Sequence, residues 1–337
     1  MDRDAARLGL RQMLVPTAVG AVAVRAGRGS GSPVATVLLH GAAGSWRTWT
    51  PLIDASARLG LPLSDIVAID LPGWGDTPGP VPDPADLAVA VAALARALGY
   101  PRWRVVGHSL GGVIALDVAA RFPRETVAVG VVSPSGAGVR AVSRHPVLAA
   151  ARLPGFAGMV WAMRILRLLG PAARPLLRLL RRTRVIRALA RPLFRHPSAV
   201  DPAVSDALAD EIRPTAFLAA MKASRSHDDG LWRRVVCPVR SVRGAHDVFV
   251  GPRDTRAWDR LLLDHDETVL ADSGHFAHVE QPVETLRALR DVWAAHRAPR
   301  PRQGRREIVT VRGASASRSS VWPAMSPQAL STPRPPV

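Results

Sequence analysis

Residues 103–120 limit most sharply what this chain can fold into. A short apolar run, Trp103 to Val106, leads into Gly107-His108-Ser109-Leu110-Gly111-Gly112. The stretch Val113 to Ala120 that follows is small and aliphatic apart from Asp117. Run, turn and following stretch read as a buried strand, a sharp turn and a helix. A serine at such a turn is forced into an unfavourable backbone conformation, and its neighbours two residues away on either side must be tiny. In return its hydroxyl stands clear of the backbone, near the positive end of the helix. The bland alternative is a glycine-rich turn with an incidental serine, and only the rest of the chain can separate the two.

Around this turn, apolar strand-like runs alternate with helical stretches. Ala18 to Arg25 reads as a first strand, and Val34 to Leu39 as a second that ends in His40-Gly41-Ala42-Ala43-Gly44-Ser45-Trp46. Trp49 to Leu59 looks helical. Ile66 to Asp70 is a third short strand, followed by the rigid loop Leu71-Pro72-Gly73-Trp74-Gly75. Asp83 to Leu98 opens with Asp-Pro and is followed by Gly99, which marks a helix at both ends. Val127 to Val132 is another strand. Such alternation predicts an α/β fold with a mostly parallel sheet. It lapses over residues 134–234, where helical segments follow one another without strands, Phe156–Leu169 and Ala172–Leu193 among them. It resumes at Val235–Val242, with helical Trp258–Leu263, a strand at Glu267–Leu270 and a closing helix over Val283–Arg297.

With 337 residues the chain can bury one large core carrying an inserted segment. We divide it into a first core part at 1–133, a helical, arginine-rich insertion at 134–234, a second core part at 235–297 and a disordered tail at 298–337. That tail is rich in Pro, Arg and Ser and lacks apolar periodicity.

The formal charge of +18 would suggest nucleic acid if it were evenly spread. It is not. Residues 134–200 hold thirteen arginines and no acidic residue, and 297–337 hold eight arginines against Glu307, which leaves −2 for the rest. No aromatic-and-basic motif accompanies the arginines, so a nucleic-acid partner is not expected. Lys222 is the only lysine, and arginine-favouring codons account for part of the excess. The single Cys237 excludes an internal disulfide. Met13 to Val24 imitates a signal peptide, but Asp2, Asp4, Pro16 and Gly20 spoil it, and a cytoplasmic protein is the expectation.

Five motifs, all in the same order and near the same spacing, give the chain a resemblance to the α/β-hydrolase superfamily over about residues 15–297. They are His40-Gly41, Asp70-Leu71-Pro72-Gly73-Trp74-Gly75, the serine turn, Gly244-x-x-Asp247 and Gly274-His275-x-x-x-x-Glu280-x-Pro282. The resemblance implies a mostly parallel central sheet with helices on both faces, and makes residues 134–234 a helical cap over the site. It implies a serine-hydrolase triad in the order Ser109, Asp247, His275. A free serine is a poor nucleophile, so a histidine must take its proton, and that histidine needs an acceptor on its other nitrogen. His278 is the rival base, and the spacing to Glu280 and Pro282 favours His275. The resemblance also assigns an oxyanion hole to the backbone N–H groups of Ala42 and Leu110. No metal or cofactor is expected: Asp70 and Asp117 lack ligand spacing and read as a turn residue and a helix residue.

A serine at the turn, where epoxide hydrolases and haloalkane dehalogenases of this superfamily carry aspartate, implies acyl transfer. Hydrolysis of a carboxylic ester comes first. Carbon–carbon bond hydrolysis, a cofactor-free haloperoxidase-type reaction and a non-catalytic binding protein are the alternatives. The substrate is expected to be a small molecule with an apolar acyl or aromatic group, lined by Met159 and Met163, with Phe156, Trp161 and Trp46 as further candidates. Ordinary cap-to-core packing is the alternative for any one of the cap residues. His40 reads first as support for its loop and second as a substrate contact. The arginines between 164 and 191 fit a solvated face first, and after it helices lying on an anionic membrane or meeting an acidic partner.

Overall fold

A computed structural model describes residues 5–42, 44–144, 153–180, 192–197 and 202–294. Eight strands form one sheet in the order β1-β2-β4-β3-β5-β6-β7-β8. They are β1 Leu10–Thr17, β2 Gly20–Gly27, β3 Val34–Leu39, β4 Ile66–Ile69, β5 Arg102–His108, β6 Thr126–Val132, β7 Val239–Gly244 and β8 His265–Leu270. β1 and β2 pair antiparallel, as do β2 and β4, and every later pairing is parallel. The strand expected at Ala18–Arg25 is therefore the second arm of a hairpin. Its first arm is easy to miss, because β1 sits at the sheet edge, exposes Met13 and Leu14, and carries Pro16 where an edge strand tolerates it.

The sheet is covered on both faces, and the strands show why. Val37 and Val105 join a core with Leu87, Val91 and Ile114. Their neighbours Leu38 and Val106 join a second core with Leu52, Ile53, Leu286 and Val292. Adjacent residues of one strand point to opposite faces, so a strand reading as a continuous apolar run must be buried twice. The helices supplying these layers are α1 Thr50–Arg58, α2 Pro84–Ala97 and α3 Leu110–Arg121, with short segments at the C-terminal end. α2 begins where Asp83 accepts a hydrogen bond from the Asp86 amide, with Pro84 at its first position.

Between β6 and β7 the described residues form helices and no strand. These are α4 Ala137–Arg144, α5 Pro154–Leu168, α6 Ala173–Leu180, α7 Pro202–Asp210 and α8 Pro214–Ala223. The helix expected to run on to Leu193 is described only to Leu180. α9, Pro252–Leu261, starts six residues before the expected Trp258. The closing helix expected over Val283–Arg297 is instead two pieces, Pro282–Ala288 and Arg290–Ala294. Pro282 begins the first of them and separates it from a short helix at Ala277–Glu280. The expected tail at 298–337 lies outside the described residues.

Candidate active site

Ser109 sits between β5 and α3 with φ +52° and ψ −114°, in a region that L-residues seldom adopt. Two backbone bonds hold it there. Its amide donates to the Val132 carbonyl at 3.0 Å, and its own carbonyl accepts from the Ser135 amide at 3.1 Å. The flanking glycines are required by close approach. A Cβ on Gly107 would lie 2.1 Å from the Gly111 carbonyl oxygen, and one on Gly111 would lie 2.2 Å from the Leu39 oxygen. The turn can thus close only with glycine at both positions.

Ser109 opens on a cavity of about 750 Å³, part of it continuous with solvent. Gly41, Ala42, Leu110 and His275 line it from the sheet side, and Phe156, Met159, Phe217 and Met221 from the inserted helices. Of the expected substrate-contacting residues, Met159 and Phe156 reach this cavity. Met163 does not: it is buried in the core on the inner side of α5. Trp46 is buried beneath the Arg25 guanidinium, 5.2 Å from its ring. Trp161 is more than half exposed. His40 is enclosed, its Nδ1 donating to the Gly41 carbonyl at 2.8 Å and its Nε2 accepting from the Leu71 amide at 2.9 Å. Burial pushes its pKa down to about 4, so it is a neutral brace for the loop that carries Ala42.

His275 Nδ1 lies 3.0 Å from Asp247 Oδ2. The other carboxylate oxygen accepts from the Phe249 amide at 2.8 Å and the Val250 amide at 3.1 Å. Burial would raise the Asp247 pKa, but His275, the Phe249 amide and the Ser133 hydroxyl outweigh it and hold the carboxyl below its ordinary range. Glu280 fixes the histidine loop, accepting from the Gly274 amide at 2.7 Å and from the Arg195 amide of the insertion at 2.7 Å. His278, the rival base, is fully buried against Trp49 and His108, 4.5 and 4.6 Å between ring centroids, and burial drives its pKa to about 3. The Ser109 hydroxyl itself rests 3.2 Å from Ser135 Oγ rather than on the imidazole. Among the described residues no acceptor takes the amides of Ala42 and Leu110. The Ala42 carbonyl, by contrast, accepts from Trp74 Nε1 at 3.0 Å, which steadies that loop.

Sequence reading missed three features. His108, between Gly107 and Ser109, lines the cavity and packs against His275, the rings tilted 57° with centroids 4.8 Å apart. Its position inside the motif was the available signal.

The second feature is centred on Asp117, which is more than a helix residue. It is buried on α3 and accepts from Trp232 Nε1 at 2.8 Å and from His227 Nε2 at 2.9 Å. His227 reaches Asp229 through Nδ1 at 3.0 Å, and Arg140 pairs with the same Asp229. Burial lowers the His227 pKa, yet the two carboxylates more than compensate and raise it to about 9. An imidazole raised above its unfolded pKa stabilises the fold fully below about pH 6.5, and loses that contribution as pH climbs through 9. We expect unfolding free energy to decline by roughly 2–3 kcal/mol between pH 6.5 and 9.5, and His227→Gln to flatten that decline. A wild-type denaturation midpoint that does not move across this range would show that the imidazolium is absent.

The third is Glu211, just past α7. It is buried, accepts from Ser45 Oγ at 2.9 Å and pairs with Arg47 at 3.2 Å, clasping the insertion to the segment after Ala42. Removing one side of a buried polar pair leaves the other unsatisfied. Glu211→Ala is therefore expected to cost about 3 kcal/mol in urea unfolding, with Glu211→Gln recovering part by still accepting from Ser45. Equal stability of Glu211→Ala and wild type would mean that the clasp does not form in solution.

The alpha/beta hydrolase family model matches residues 36–289, most of the chain. The chain belongs to this family. It is 33% identical over 125 residues to the dihydrolipoyllysine-residue acetyltransferase component of an acetoin cleaving system from Cupriavidus necator. That match covers 36% of the chain but only about a third (32%) of the relative's length. Among solved structures, a thermophilic esterase from Thermogutta terrifontis matches with a TM-score of 0.60 at 17% identity, covering 83% of this chain and 97% of the esterase. The epoxide hydrolase CorEH matches at 0.65 and 19%, covering 86% and 100%. At such identities these two structures attest the fold alone.

Proposed function

We propose that this hydrolase cleaves carboxylic esters through an acyl-enzyme on Ser109. The observation that carries the reading is one cavity walled by both Ser109 and His275, with His275 Nδ1 engaged by the buried Asp247. Engagement of Nδ1 leaves Nε2 as the nitrogen that takes the serine proton. Rotation of the Ser109 hydroxyl from Ser135 towards His275 precedes attack, as catalytic hydrogen bonds often tighten only around substrate. Ser109 Oγ adds to the acyl carbon, its proton moves to His275, and charge develops on the carbonyl oxygen. The amides of Ala42 and Leu110 receive that charge. His275 then returns the proton to the leaving alcohol as the carbon–oxygen bond breaks. A water molecule, deprotonated by His275, releases the acid and restores Ser109.

The inserted helices act as a cap. Phe156, Met159, Phe217 and Met221 give the cavity an apolar lining suited to an acyl chain or aromatic ring. The likeness to an epoxide hydrolase does not extend to its chemistry, since Ser109 occupies the position from which an aspartate would form its ester.

A series of p-nitrophenyl acyl esters of increasing chain length tests the proposal, together with a fluorophosphonate probe followed by mass mapping of the labelled peptide. Turnover with the adduct on Ser109 is expected, and the preferred chain length measures the cavity. A folded protein that neither turns over these esters nor takes up the probe would overturn it.

A further inference from the structure

α5 is apolar on two opposite sides, and only one of them is used by the fold. Phe156, Ala157, Val160 and Met163 face the core. Trp161, Ile165 and Leu168 recur at i, i+4 and i+7, so they form one stripe on the other side. They are 55%, 56% and 87% exposed. Leu169 extends the stripe, and α6 adds Leu176 and Leu179, the latter 71% exposed. A helix that faces only water would carry polar side chains there.

The polar residues that α5 does have are arginines. Arg164 lies over the Trp161 ring at 4.9 Å and Arg167 is exposed. The surrounding sequence from 134 to 200 contains thirteen arginines and no acidic residue. Two of these thirteen, Arg140 and Arg195, pair with Asp229 and Asp272 from elsewhere in the chain. Exposed Trp and Leu beside Arg164 and Arg167 nonetheless match a bilayer interface: acyl chains take the apolar side chains and anionic headgroups take the guanidinium groups. No single helix among the described residues is long and apolar enough to cross a membrane, and Pro154–Leu168 turns 116° against Gly170–Leu177. This geometry suits lying on a surface.

We infer that the outer face of α5 and α6 docks on an anionic phospholipid bilayer. Phe156 and Met159, on the inner side of α5, line the cavity beside Ser109. Docking therefore places that cavity about one helix diameter, roughly 10 Å, from the lipid, and apolar substrate dissolved in the bilayer has a short path to it. The binding does not depend on the reaction assigned to Ser109. It is read separately from activity.

The full chain is sedimented with vesicles of phosphatidylcholine alone or mixed with phosphatidylglycerol, at low and high salt. Association with the mixed vesicles, reversed by salt, is expected. Trp161→Ser with Leu168→Ser should weaken partitioning by roughly a hundredfold, and Arg164→Glu with Arg167→Glu by roughly tenfold or more. Both sets should keep the wild-type melting temperature and, where the ester reading holds, turnover of a short soluble ester. Leu168→Ser alone, at the most exposed position, guards against a folding defect in the double variant. Absence of binding to the anionic vesicles, or binding indifferent to these substitutions, overturns the inference. Concentration-dependent dimers that Trp161→Ser and Leu168→Ser dissolve, without vesicle binding, would assign the face to a second copy instead.

Discussion

Ser109→Ala is expected to lower ester turnover by about 10⁴–10⁶-fold and to abolish fluorophosphonate labelling, while leaving the fold in place. The loss is large because the hydroxyl oxygen is the atom that bonds to the acyl carbon, and no neighbour can replace it. Ser135, 3.2 Å away, is the only hydroxyl in contact with it among the described residues. The fold should tolerate the change because serine already carries a Cβ at φ +52°, so alanine adds no strain. The backbone bonds to Val132 and Ser135 do not involve the side chain. Stability should stay within about 0.5 kcal/mol of wild type. Ser135→Ala is the matched control and should keep activity within roughly tenfold, the range left when a hydrogen-bond partner rather than a nucleophile is lost. If Ser109→Ala retained a tenth of wild-type turnover, Ser109 would not be the nucleophile. If Ser135→Ala were the inactive variant, the roles of the two serines would have to be exchanged.

How much of this was legible in the sequence depends on the range of the interaction. Strand–turn–helix around Ser109 is a local matter of small residues and apolar runs, and the parallel alternation follows from it. The loops of Asp247 and His275 were readable through the motifs of the resemblance, each of which follows a strand end. That they meet at 3.0 Å is a consequence of β7 and β8 lying side by side. Which face of a helix turns inward was not readable. Met159 and Met163 are one turn apart, yet one lines the cavity and the other fills the core. The stripe at 161, 165 and 168 has the spacing of a core face and lies outside. Pairs such as Asp117 with His227 and Ser45 with Glu211 are 110 and 166 residues apart, and no local pattern announces them. Buried polar groups find their partners by tertiary packing, which brings together residues far apart in the chain.

The second large effect falls on a residue that never touches the cavity. Asp247→Asn should reduce kcat by about 10³–10⁴-fold with KM little changed. The asparagine amide has the size of the carboxyl and can keep accepting from Phe249 and Val250 through its oxygen. Its NH₂ group then faces His275 Nδ1, which must become the acceptor. The ring proton is forced onto Nε2, the nitrogen that should receive the serine proton, and the base is lost although every heavy atom stays in place. Asp247 also stabilises the imidazolium that forms as Ser109 attacks, and a neutral amide cannot. KM should hold because Asp247 is absent from the cavity wall. A purely structural role would instead appear as a lowered melting temperature with kcat per folded molecule preserved. Asp247→Asn with kcat within tenfold of wild type would therefore separate Asp247 from the chemistry and reopen the choice of acid.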